Sequence, residues 1–213
     1  MIKCSICGCK NLTPINSHCV FLNIPINRYK CQECDLVFGP IEFINLSKEE
    51  LIEKYKKLYA TYAECDSTNY EVKTFLSMKP EKNGIYLNYG GGMWSKSHKI
   101  LSDMGYKVDS YDPSFTDNLT ESIIYDGIFS HNVIEHLQTP IQDFHYFRSI
   151  LKPTGVMVHS SPCYLYKYEY SIFHLHFLIG KSLQILADKT KFELEHLYDE
   201  PDYMIKKFLK LGE

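Results

Sequence analysis

The spacing of apolar positions changes character near residue 85. Before it, Leu51, Tyr55, Leu58, Tyr59 and Tyr62 recur at helical spacing. Ser47-Lys48-Glu49-Glu50 has the serine-x-x-glutamate form of a capping box just ahead of them. The tyrosines fit the buried face of a helix better than the lining of a substrate entrance. A second helical stretch spans about residues 70–78 and stops at Pro80. From residue 85 onward, short β-prone runs alternate with helical segments. The runs are 85–89, 108–112, 126–130, 156–160 and the alternating stretch 192–198. Between them, Ile100, Leu101 and Met104 give one helix an apolar side, with Ser95 able to cap it and Gly105 able to end it. Thr139-Pro140 starts another helix, whose apolar face is Ile141, Phe144, Phe147, Ile150 and Leu151, and residues 152–155 make a turn. Residues 181–191 read as a further helix. The tail, 201–213, reads as a short amphipathic helix with Met204, Ile205, Phe208 and Leu209 facing in.

Strands alternating with helices predict an α/β domain. The first unit sharpens this. The run 85–89 leads into Gly90, Gly91 and Gly92, then a helix, then a second run ending on Asp112, 22 positions after Gly90. Strand, glycine turn, helix, strand and acid form the first half of a nucleotide-binding unit. The glycines let the backbone turn sharply and a ligand approach closely, and a carboxylate at the end of the second strand can accept both hydroxyls of a ribose. The predicted fold is doubly wound and Rossmann-like. It has a mostly parallel sheet, a final antiparallel strand, helices on both faces and a small unit at the amino terminus.

The charge balance argues against one class of partner. A formal net charge of −3, with lysines interleaved among glutamates, gives no basic face for a nucleic acid. No apolar run reaches the ~18–20 residues that span a membrane, and no leader precedes Cys4, so the expectation is a cytoplasmic protein. Eight cysteines in such a chain point to metal ligands or free thiols rather than disulfides. Cys4-x-x-Cys7 and Cys31-x-x-Cys34 are two paired knuckles, 23 residues apart. Two knuckles complete a closed, tetrahedral zinc site that holds structure and does no chemistry. Cys9 and Cys19 are left over, with Cys9 close enough to stand in for Cys7. The expected division is a zinc unit at 1–40, a helical bridge at 41–80 and the main domain at 81–213.

The stretch 125–140 reads Tyr-Asp-Gly-Ile-Phe-Ser-His-Asn-Val-Ile-Glu-His-Leu-Gln-Thr-Pro, followed by Leu151-Lys152-Pro153-Thr154-Gly155-Val156-Met157-Val158. It resembles class I S-adenosylmethionine-dependent methyltransferases. There the same pattern forms the fourth strand, a Glu-His helix start and the turn before the fifth strand. With the glycine loop and Asp112, the resemblance covers roughly 85–198. Paired cysteines ahead of such a domain are similar to the sugar C-methyltransferases, which act on nucleotide-linked deoxysugars.

The resemblance implies site roles. S-adenosylmethionine would lie over Asn88, Gly90, Gly91 and Gly92, with Asp112 on its ribose and His131 and Asn132 beside it. His176, and less directly His174, would take a proton from a small-molecule acceptor, most plausibly sugar-linked. The chain departs from the family at several points. Asn88 stands where an acid is usual, Trp94 where a small residue is, and Leu175 where the family's His-Glu-His triplet has its glutamate. Only 14 positions separate Asp112 from Asp126, about half the family's span there, which abbreviates the adenine pocket. These departures keep open a second reading, a non-catalytic binding or scaffold protein on the same fold. His136 reads as packing at a helix start, and His159 as a core residue.

Overall fold

The computed structural model describes residues 2–19, 22–61, 67–92, 95–115, 119, 123–165, 171–200 and 203–212. Trp94, noted as a departure in the glycine loop, and Tyr62, Tyr166, Tyr168 and Tyr170 lie outside them.

The chain begins with a hairpin, β1 (Leu12–Cys19) and β2 (Ile24–Cys31), then β3 (Val37–Phe38), the single turn α1 (Ile41–Ile44), α2 (Lys48–Thr61) and α3 (Thr68–Ser77). The main alternation follows: β4 (Ile85–Tyr89), α4 (Ser97–Asp103), β5 (Lys107–Tyr111) and β6 (Tyr125–His131). A 3-10 turn (Ile134–His136) leads to α5 (Pro140–Ser149) and β7 (Leu151–Ser161). A second 3-10 turn (Pro162–Tyr164) precedes β8 (His176–Phe177), α6 (Ser182–Lys189), β9 (Phe192–Glu200) and β10 (Tyr203–Lys210).

Six strands form one sheet in the order β5-β4-β6-β7-β10-β9. β5, β4, β6 and β7 are parallel, and β10 is antiparallel to both its neighbours. β9 therefore runs with the parallel set, and the antiparallel strand is the last one, inserted between β7 and β9. Helices cover both faces. Phe75 and Met78 of the α3 end and Leu101 of α4 pack on one side. Phe144 and Phe147 of α5 with Leu183, Leu186 and Ala187 of α6 pack on the other. This is the predicted doubly wound architecture.

Three local expectations change. The tail is a central strand, not a helix. Its apolar spacing suits both, because Met204 and Phe208 face one core while Tyr203 and Ile205 face the other. A strand buried on both faces reads as near-continuous apolar sequence and loses its alternation. On α4, Leu101 is buried but Ile100 and Met104 are about two-fifths exposed. Residues 152–155, read as a turn, lie inside β7, which bulges there between its pairings with Tyr125 and Gly127.

Other punctuation holds. Ser47 and Glu50 exchange hydrogen bonds, the Ser47 N–H to Glu50 Oε2 at 2.8 Å and the Glu50 N–H to Ser47 Oγ at 3.2 Å. Gly105, at φ +86°, ends α4, with its N–H on Ser102 and the next N–H, of Tyr106, on Leu101.

The amino-terminal residues do not stand apart. Their sheet, β1-β2-β3-β8, takes its fourth strand from residues 176–177. Cys4, Ile6, Leu36 and Phe38 belong to the same apolar cluster as Phe144 and Leu186. α3, expected as a bridge, is a layer of the main domain against β6 and β7.

Phe208 has no exposed surface and packs edge-on against Phe144 and Phe192. Phe208→Ala is expected to lower unfolding free energy by about 3–5 kcal/mol in a denaturant titration, and a loss of about 1 kcal/mol or less would mean that Phe208 is not packed in this core.

Candidate functional site

The carboxyl ends of β4, β5 and β6 lie side by side. Gly90 leaves β4 at φ +77° and Gly92 follows at φ +64°, conformations that favour glycine. A Cβ on Gly90 would sit 2.5 Å from Val133 Cγ2, so the loop also needs glycine to pass beneath the segment after β6. The Gly90 N–H donates to the Tyr111 carbonyl at 2.7 Å. Asp112, at the end of β5, accepts the Gly92 N–H on Oδ2 at 3.0 Å and the Ser114 N–H on Oδ1 at 2.8 Å. The predicted acid thus pins the predicted glycine loop. Across β6, Asn132 sits at φ +53° with its N–H on the Ser160 carbonyl.

These residues border a cavity of about 670 Å³. Gly90, Gly91, Gly92, Asp112, His131 and Asn132, all singled out from sequence, line one end. The other end is aromatic. Tyr55 stacks at 4.6 Å on Phe173, and its hydroxyl lies 2.8 Å from His136 Nδ1. His136 Nδ1 also lies 2.8 Å from the Phe173 carbonyl. Tyr70 stacks on His131, ring centroids 5.0 Å apart and nearly parallel. Cys19 and Leu22, beside the β1–β2 turn, reach the same cavity. Tyr55 of α2, which the sequence assigned to a buried helix face, thus lines the cavity.

Two predicted site residues stand elsewhere. Asn88 is buried and off the cavity wall. Its amide donates to Glu71 Oε2 at 2.6 Å and to Ser97 Oγ at 3.1 Å. Glu71, on α3, also accepts from Ser95 Oγ and Ser97 Oγ, each at 2.6 Å, and from Ser67 Oγ at 2.5 Å. The acid missing at position 88 is replaced by one from another element, which holds the loop after β4. An acid in a short amphipathic helix reads as solvent-facing, so no sequence signal marked it.

His176, expected to take the acceptor's proton, is the second. It lies in β8 with no exposed surface, and its Nε2 is 2.8 Å from Ser5 Oγ. It does not line the cavity. His174 does line the cavity, with a ring 4.9 Å from that of His136.

Burial governs the titration of this site. It holds His131 and His136 at about 4 and drives His174 well below its ordinary range. All three are neutral imidazoles near pH 7.

The four paired cysteines converge as expected. Cys4, Cys7, Cys31 and Cys34 bring their sulfurs within 4.8 Å of one another. Both knuckles have the same frame. Gly8 donates to the Cys4 carbonyl and Asp35 to the Cys31 carbonyl, each at 3.0 Å, with φ +82° and +66°. A zinc ion at about 2.3 Å from four thiolates needs sulfurs about 3.8 Å apart, which this cluster can supply. Cys9 stands outside it and accepts the Asn11 N–H.

No family model matches the sequence, and no curated protein does. Solved structures match in fold. The CcbJ methyltransferase from Streptomyces caelestis is 13% identical over 73% of this chain and 96% of its own, with a TM-score of 0.53. A Haemonchus contortus phosphoethanolamine N-methyltransferase, solved with phosphomonomethylethanolamine and S-adenosylhomocysteine, gives 14% identity, 80% and 60% coverage and a TM-score of 0.52. A Burkholderia thailandensis 1,6-didemethyltoxoflavin N1-methyltransferase, solved with bound 1,6-didemethyltoxoflavin and S-adenosylhomocysteine, gives 10% identity, 93% and 100% coverage and a TM-score of 0.50. These likenesses establish the fold. Among the described residues no helix is long and apolar enough to cross a membrane.

His159 is fully buried between Phe144, Phe147 and Phe208, and burial holds it at about 3. A histidine kept neutral in the fold takes up its proton only on unfolding. Its stability contribution is complete above about pH 6.5 and is lost as pH falls, by about 1.4 kcal/mol per unit. Acid titration followed by circular dichroism is expected to show destabilisation beginning below pH 6.5. His159→Phe is expected to move the acid midpoint to lower pH, and an unmoved midpoint would mean His159 carries no such linkage.

Proposed function

We propose that this chain transfers a methyl group from S-adenosylmethionine to the nitrogen or oxygen of a small acceptor. The observation that carries the reading is the Gly90–Gly92 loop tied to Asp112 at the mouth of the cavity, at the strand ends where open α/β sheets bind ligands. The residues present suit the cofactor. The carboxylate of Asp112 stands on the cavity wall at the end of β5, where such an acid can meet ribose hydroxyls, and it is oriented by the Gly92 and Ser114 N–H groups. Gly90 and Gly92 offer backbone with no side chain in the way, and His131 and Asn132 stand across from them. The bound sulfonium would supply an already activated methyl. Two of the neighbours in fold were solved with S-adenosylhomocysteine, which supports the cofactor class.

The protein's own work is then alignment and exclusion of water. Tyr55, Tyr70 and Phe173 offer flat faces to hold an acceptor, and the neutral His136 ring, whose Nδ1–H faces the Phe173 carbonyl, has its Nε2 left to take a proton. An imidazole held at about 4 is a weak base, so it suits an amine lone pair or an easily ionised hydroxyl better than a carbon acid. A nucleotide-linked sugar also brings a diphosphate. Lys48 is the only lysine or arginine on the described wall, which favours a neutral or cationic acceptor over the sugar-linked one implied by resemblance. A decayed scaffold is the weaker reading, because Glu71 holds Asn88, Ser95 and Ser97 in a built loop.

At the other end, Cys4, Cys7, Cys31 and Cys34 would hold one zinc ion as a closed structural site. Four protein ligands leave no position for chemistry. In this division, 1–40 is the zinc-bearing unit and 81–213 the cofactor domain.

Calorimetric titration with S-adenosylmethionine and S-adenosylhomocysteine is expected to give micromolar binding, weakened at least tenfold by Asp112→Ala. No binding by a folded, zinc-replete protein would overturn the methyltransferase reading. Cys31→Ser is expected to lower zinc content by one ion per chain and to loosen the small sheet, measured by metal analysis and near-ultraviolet circular dichroism.

A further inference from the structure

Behind the cavity wall lies a cluster that methyl transfer as proposed does not use. Glu135 comes from the 3-10 turn after β6, Cys163 from the turn after β7, and His174 from the segment before β8. Each offers one donor atom, and the three lie within 4.8 Å of one another. The contact between Cys163 Sγ and His174 Nδ1 is 3.5 Å. Glu135 has no exposed surface, and neither of its carboxylate oxygens has a hydrogen-bond partner of good geometry.

An acid in that position needs an explanation, since a buried ionised carboxylate without donors or a counter-charge is costly. Burial pushes Glu135 up to about 7, and its own backbone N–H and the nearby Ser161 hydroxyl offset only part of this. A cysteine nucleophile with a histidine base is one alternative. It requires a lowered thiol and a raised imidazole. Here burial drives Cys163 well up and His174 well down, and Cys163 does not line the cavity. The geometry instead brings a carboxyl, a thiol and an imidazole within reach of one shared ion.

Carboxylate, thiolate and imidazole together are a zinc donor set. Their two negative charges, once deprotonated, balance a divalent cation. Three protein ligands with a fourth position open is the make-up of sites that bind water or substrate, in contrast to the closed tetrathiolate. The cluster is also held from outside. The Arg28 guanidinium donates to the His174 carbonyl at 2.5 Å and to the Ser171 carbonyl at 2.8 Å. The Leu175 N–H donates to the Glu135 carbonyl at 2.8 Å.

We propose that Glu135, Cys163 and His174 form a second metal site, for one zinc-class divalent cation, beside the cavity that His174 lines. This site does not depend on methyl transfer, because ion binding can be counted without any turnover.

The test is a metal count on the full chain in excess zinc, after removal of loosely held ion. Two zinc ions per chain are expected for the native protein. Glu135→Gln and Cys163→Ser are each expected to retain one, with an unchanged far-ultraviolet spectrum. His174→Ala, at the cavity wall, serves as a third variant where a buried substitution disturbs folding. Cobalt replacement gives an independent readout. The native protein should show a second, weaker thiolate-to-cobalt band beside that of the tetrathiolate, and Cys163→Ser should remove the second band alone. A native protein that holds one zinc per chain would overturn the proposal, as would folded variants that keep both ions.

Discussion

A parallel sheet has two apolar faces, and both must be covered. The rest of the architecture follows from that requirement. β4, β6, β7 and β10 carry buried residues toward both sides, so helices are drawn onto each. α5 and α6 alone do not complete one face. The cysteine-bearing residues close it, with Ile6, Leu36 and Phe38 continuous with the main core. The same parallel arrangement sets the carboxyl ends of β4, β5 and β6 in a row. The glycine loop, Asp112 and His131 therefore meet although they are far apart in sequence.

Arg28 converts that packing into a defined cavity wall. It is fully buried on β2, and its fork reaches the carbonyls of Gly39, Ser171 and His174. One guanidinium can satisfy several carbonyls at fixed angles, which a lysine cannot. The small sheet thereby accepts β8 from the main domain, and the segment carrying Phe173 and His174 is presented to the cavity. The amino-terminal residues shape the ligand site without supplying its glycine loop or its acid.

Burial favours the neutral form of several titratable groups in the interior. Histidines at the cavity and in the core are kept uncharged by burial, and the carboxyl of Glu135 is pushed toward its neutral form. Asp112 differs because backbone N–H groups meet both of its oxygens. That contrast separates an acid suited to binding hydroxyls from one suited to binding a cation.

Local chemistry was legible in the sequence. The capping box at Ser47, the knuckles at Cys4 and Cys31, the glycine turn, Asp112 and the strand–helix alternation rest on neighbours a few residues apart, and the chain itself dictates them. What depends on distant partners was not legible. The tail reads equally as helix or strand, because burial on two faces erases alternation, and only its place between β7 and β9 decides it. Glu71 supplies the acid absent at Asn88 from another element, across 17 positions, and no local pattern announces that. His174 and His176 sit two residues apart, yet one faces the cavity and the other packs under Ser5, because residue 176 has already entered a strand. The sequence by itself determined the element types and the chemistry of each short motif. Tertiary structure decided which side chains share a space, since that follows from how sheets and helices cover one another.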